Sequence, residues 1–144
     1  MNFVVKAAVA GVVFGLASCA EKPAPVTEQK KVEEKPAIAK ISSYTVYFAF
    51  DDDQLNADSK RVINNIVSQA DGRSVNVYGN TDTAGPEKYN MGLSERRAKN
   101  VASALREAGV KVVAVIGDGE YNLAVETEDN VKNRLNRRAV VNYR

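Results

Sequence analysis

The chain has 144 residues, with 20 Lys and Arg, 18 Asp and Glu, no histidine and a formal net charge of +2. Such a balance gives no bulk electrostatic reason to bind nucleic acid. A single cysteine excludes an intrachain disulfide.

In chain order, Lys6 is the one charge before a run of small and apolar residues from Ala7 to Ala17. The run is shorter than the roughly 20 residues that a spanning helix needs and reads as the core of a secretory signal. It ends in Leu16-Ala17-Ser18-Cys19, which resembles the lipobox of bacterial lipoproteins. The resemblance implies cleavage after residue 18 and a diacylglycerol on the Cys19 thiol. An ordinary signal peptide with an incidental cysteine is the alternative. Ala20, not Asp, at the second mature position implies export to the outer membrane. Several acyl chains on one residue hold where a single chain is marginal.

Residues 19–42 hold three of the four prolines (Pro23, Pro25, Pro36) among Lys, Glu and Ala, with few large apolar residues. Such a segment cannot offset its own ordering entropy and is expected to be a flexible linker. Its reach is about 75 Å stretched and about 25–30 Å relaxed. Without residues 1–18 the balance is 19 basic to 18 acidic, or +1. Residues 43–144 then form one small domain with chain enough for one core.

Within it, Tyr44 to Phe50 is aromatic and β-branched and predicts a strand, ended by Asp51-Asp52-Asp53. Leu55, Val62, Ile63, Ile66, Val67 and Ala70 recur at helical spacing, with Asn56 as N-cap and Gly72 as stop. Ser74 to Tyr78 predicts a second strand. A second helix runs from about Tyr89 to Ala108 on the stripe Leu93, Ala98, Val101, Ala102, Leu105. Val110 to Ile116 is nearly all apolar and predicts a central strand. Residues 117–132 are polar and irregular, and Ala139 to Tyr143 is the last strand. The order β-α-β-α-β-β predicts an α/β (α+β) two-layer sandwich, with both helices on one face of a four-stranded mixed sheet.

Between the second strand and second helix stands Gly79-Asn80-Thr81-Asp82-Thr83-Ala84-Gly85-Pro86-Glu87-Lys88-Tyr89-Asn90-Met91-Gly92-Leu93-Ser94-Glu95-Arg96-Arg97-Ala98. One aspartate leaves the strand and one arginine sits on the helix, so Asp82 and Arg97 are expected to face each other across a cleft. That pair suits a ligand with an ammonium at one end and a carboxylate at the other. Arg pairs a carboxylate with two parallel hydrogen bonds. The bland alternatives are Asp82 as a turn cap and Arg97 as a solvated residue paired with Glu95.

The stretch resembles the signature of the OmpA-like peptidoglycan-binding domain, roughly G-H-T-D-x-x-G-x-x-x-Y-N-x-x-L-S-x-x-R-A. Tyr47-Phe48-Ala49-Phe50-Asp51 and Asn136-Arg137-Arg138 extend the resemblance over residues 44–144. With the lipobox, the chain resembles the peptidoglycan-associated lipoproteins. That implies a peptidoglycan stem peptide containing diaminopimelate as ligand, with Asp82 on the ammonium and Arg97 on the carboxylate. It also implies that Phe50 and Asp51 line the site and that Thr83 flanks it. On the helix, Asn90 shares a face with Arg97 as ligand contact or as helix cap, and Leu93 between them floors the cleft. One of Arg137 and Arg138 faces the ligand side. The family's histidine is Asn80 here, and Gly117-Asp118-Gly119-Glu120-Tyr121-Asn122 lacks the family's proline.

The expected function is a non-catalytic tether between outer membrane and cell wall, with no cofactor and no metal. Arg97→Ala is expected to abolish binding without unfolding the domain. The alternative is an envelope protein-interaction module, with Tol-type periplasmic proteins as partners. An enzyme acting through Asp51 and Asp82 lacks histidine, a free thiol, a G-x-S-x-G turn and a metal-ligand cluster. The acidic run 51–53 lacks the glycine and distal glutamate of a calcium loop.

Overall fold

The computed structural model describes residues 42–144. The signal segment, Cys19 and the linker lie outside the described residues. The elements are β1 (Ser43–Tyr47), α1 (Ala57–Gln69), β2 (Val75–Gly79), α2 (Glu87–Glu107), β3 (Val112–Gly117) and β4 (Arg138–Tyr143). They form one four-stranded sheet in the order β1-β4-β2-β3. β4 lies antiparallel to both β1 and β2, whereas β2 and β3 are parallel. Two helices on an open mixed sheet is the architecture expected.

Alternation sets the sheet's two faces. Val46, Val75, Val77, Ala139 and Val141 point to the helices and are fully buried. From α1 come Ile63 and Ile66, and from α2 Ala98, Val101 and Leu105. α1 starts at Asn56, whose side chain accepts a hydrogen bond from the Ser59 N–H at 2.9 Å. It ends at Ala70, followed by left-handed Asp71 and Gly72. At the end of β4 Tyr143 donates its hydroxyl to the Ile66 carbonyl at 2.6 Å. No helix among the described residues is long and apolar enough to cross a membrane.

Two expectations change. The apolar segment Val110 to Ile116 forms an edge strand, and the central places go to β4 and β2. Val113 and Ile116 are 46% and 41% exposed, so apolar content here reflects strand propensity rather than burial on both faces. The first strand also stops at Tyr47, and beyond it the Ala49 carbonyl accepts from Arg97 Nη2.

Close approach of α2 to the sheet depends on Gly79 and Gly117. A Cβ on Gly79 would stand 2.0 Å from the Ser94 carbonyl oxygen, and one on Gly117 2.6 Å from the Glu95 nitrogen. Lacking that atom, the N-terminal half of α2 lies directly on the carboxyl ends of β2 and β3. Clefts in open sheets form at such strand ends.

Candidate ligand-binding cleft

A cleft of about 430 Å³ opens there, lined among others by Phe50, Asp51, Asp82, Tyr89, Asn90, Leu93 and Lys132. The turn after β1 supplies Phe50 and Asp51, the turn after β2 supplies Asp82, α2 supplies Tyr89, Asn90 and Leu93, and the β3–β4 loop supplies Lys132.

Asp82 is 3% exposed. Its Oδ2 accepts from the Asn133 N–H at 3.0 Å and from Arg137 Nη1 at 3.0 Å. Both bonds fall on one oxygen, which leaves Oδ1 for another donor. Arg137 is thus the arginine that meets the cleft aspartate. Arg138, its neighbour, points the other way and donates Nη2 to the Asn122 carbonyl at 3.1 Å. Burial pushes the Arg138 guanidinium down from its ordinary value. Strand alternation predicts this split between the two arginines, though not which takes which side.

Arg97 sits differently from its expected place on the cleft wall. It is wholly buried. Nε donates to the Asp52 carbonyl at 2.9 Å, Nη1 to the Asn80 carbonyl at 2.9 Å and Nη2 to the Ala49 carbonyl at 3.2 Å. The Phe48 ring packs 5.1 Å from its guanidinium carbon. Burial pushes its pKa down to about 10, against the opposing pull of the Asp82 charge. At neutral pH it is a buried cation with no carboxylate within ion-pair distance among the described residues. Of its five N–H donors three are used, leaving one on each Nη. The alternative pairing with Glu95 is absent, since Glu95 binds Lys99. Truncating Arg97 would take the donor from all three of these carbonyls.

Asn90 is not the helix cap, and its side-chain amide already has partners within the protein. α2 begins after Pro86, and Asn90 stands in the helix's first turn. Its Nδ2 lies within hydrogen-bonding distance of Glu120 Oε2 at 2.6 Å and of the Asp82 and Ala84 carbonyls at 3.3 Å. It ties the 82–85 turn to the helix and to the β3–β4 loop, and shows one side to the cleft. Thr83 does not line the cleft. Its hydroxyl donates to the Glu128 carbonyl at 2.7 Å and accepts from the Val131 N–H at 3.2 Å, pinning that loop. Leu93 is 4% exposed and forms part of the floor.

Phe50 is 47% exposed at the mouth. Asp51 has a left-handed backbone, φ 53°, and accepts from the Tyr89 hydroxyl at 2.5 Å. That bond is the main cause of the raised Tyr89 pKa. Tyr89 and Lys132 escaped sequence reasoning, because a tyrosine in a helix's first turn and a lysine in an irregular loop carry no periodic signal. Among the described residues no group of three His, Cys, Asp or Glu is placed to hold a metal ion.

Residues 47–137 match the OmpA family model. Outer membrane protein A of Bordetella avium is 33% identical over 103 residues, 69% of this chain and 53% of that protein, so the chain spans about half the relative's length. The peptidoglycan-associated lipoprotein of Pasteurella multocida is 34% identical over 104 residues, 69% of each chain. Among solved structures, the peptidoglycan-associated lipoprotein of Burkholderia pseudomallei matches with a TM-score of 0.60 and 26% identity, covering 69% of this chain and 89% of that one. The fold, the turn carrying Asp82 and the matched span together show that this chain belongs to the OmpA family.

Proposed function

We propose that the cleft binds peptidoglycan non-covalently and that the protein tethers the outer membrane to the cell wall through lipid on Cys19. The ligand is the zwitterionic side chain of diaminopimelate in a stem peptide. Asp82 receives its ammonium through Oδ1, and the two unused Nη donors of Arg97 receive its carboxylate. Arg97 has no exposed surface, so entry of that carboxylate requires the turn at 49–52 to yield. Two relatives that carry the name peptidoglycan-associated lipoprotein support the reading. The observation that carries it is the pair of separated charges: a cleft carboxylate with one oxygen unused, and a buried guanidinium without a carboxylate partner.

The test is co-sedimentation of the mature chain, made soluble by Cys19→Ser, with purified sacculi. Asp82→Asn should weaken binding about ten- to 150-fold, the loss of one charged hydrogen bond. Circular dichroism on the same sample separates that from unfolding. If a folded wild type stays in the supernatant, the reading falls.

A second reading is a docking module for periplasmic proteins of the Tol type. It is favoured by Tyr121, 67% exposed on the loop that lacks the family's proline. Co-purification of a periplasmic partner that survives Asp82→Asn but not Tyr121→Ala would support it.

A further inference from the structure

We infer that Lys132 reads a second carboxylate of the bound peptide, so that the cleft distinguishes free-acid from amidated stem peptides; this rests on the peptidoglycan reading above. Lys132 lines the cleft beside Phe50, Asp51 and Asp82. Its Nζ stands 3.9 Å from the centre of the Phe50 ring. A ring face attracts an ammonium without giving its N–H donors a lone-pair acceptor. Among the described residues Lys132 makes no hydrogen bond and no ion pair.

Three nearby cations already have partners, although Arg97 keeps its two unused Nη donors for the first carboxylate. Arg137 is taken by Asp82, Arg96 by Asp53 at 2.8 Å, and Arg97 by three carbonyls. Lys132 is therefore a seated, exposed cation at the mouth whose side chain meets no oxygen acceptor among the described residues. An ammonium alone, held by Asp82, has no use for it. A peptide that carries a further carboxylate beside the one assigned to Arg97 does. Replacing that carboxylate by a carboxamide keeps the shape and removes the charge.

The experiment is calorimetric titration of the full mature chain (Cys19→Ser) with purified diaminopimelate muropeptides. One is the free acid, and the others are amidated at one remaining carboxyl each. Wild type should bind the free acid about fivefold more tightly than one amidated form at low salt. The preference should shrink as salt rises. Lys132→Met keeps the apolar stem on Phe50 and should erase the preference, while Lys132→Arg should restore it. Wild type with equal affinity for all the peptides, or Lys132→Met with the preference intact, overturns the inference and leaves the peptidoglycan reading standing. Folded wild type that binds no muropeptide overturns both.

Discussion

The helix-and-sheet layer and the long loop from Asp118 to Arg137 are held by different forces. In the layer, apolar side chains at strand and helix periods bury one another, from Val46 to Val141. In the loop, single polar side chains, from within it and from the layer, make the bonds that hold it. Asn136 accepts from the N–H groups of Ala124 and Val125 at 2.8 and 2.9 Å and donates to the Val125 carbonyl at 2.8 Å. Thr83, Arg138 and Asn90 grip the loop at Glu128, Asn122 and Glu120. The first kind of order is distributed, whereas the second hangs on a few residues. The cleft lies where the two meet, and so its shape can change while the core stays intact.

The largest expected effect breaks that boundary itself. Arg97→Ala removes a buried cation, orphans three carbonyls and leaves a cavity. A loss of about 3–5 kcal/mol follows from the cavity and the lost charged hydrogen bonds, and calorimetric melting measures it. Arg97→Lys keeps the charge but loses the fork, and should fall between wild type and Arg97→Ala. An unchanged melting temperature for Arg97→Ala would show that the three carbonyls find other partners. Next comes Gly79→Ala, which drives a methyl into the Ser94 carbonyl at 2.0 Å. Overpacking of this kind costs about 1–3 kcal/mol. The variant should lift α2 from the sheet and lower both stability and sacculus binding.

Asn136→Ala sharpens the comparison from the loop side. Three backbone groups lose their partner, but they lie in a loop that water can reach once it loosens. The expected cost is about 1–2 kcal/mol in global stability. Amide exchange should rise strongly around residues 124–125 while Val77 and Val141 stay protected. Equal deprotection of loop and sheet would mean that the two regions unfold as one unit.

Much of the layer was legible in the sequence, because burial writes itself as period. The stripe Leu93, Ala98, Val101 and Leu105 marked α2. Edge and centre were not legible for β3, since Val112 to Ile116 is equally apolar whether or not a second neighbour covers it. In the cleft, the motif drew Asp82, Asn90, Leu93, Phe50 and Asp51 to one place. It could not show that Arg97 spends its donors on the Ala49, Asp52 and Asn80 carbonyls, or that Asp82 already has Arg137. Apart from the Asn80 bond, these contacts join residues more than 40 apart in the chain, set by how the turn after β1 and the loop before β4 converge on α2. Thr83 was assigned to the cleft by its neighbour Asp82, but its side chain serves the loop.

The smallest expected effect is a control on the layer, at the end of α1 far from Asp82 in sequence. Asn56 satisfies the Ser59 N–H, one of the orphan donors of the first turn. Asn56→Ala should cost about 1 kcal/mol. That equals a fall of about 4–8 °C in melting temperature for a domain of this size. Asn56 does not line the ligand cleft, so sacculus binding by the folded fraction should stay at the wild-type level. If binding falls in step with this stability loss, the cleft's geometry depends on the whole layer. The contrast between distributed and single-residue order would then no longer hold.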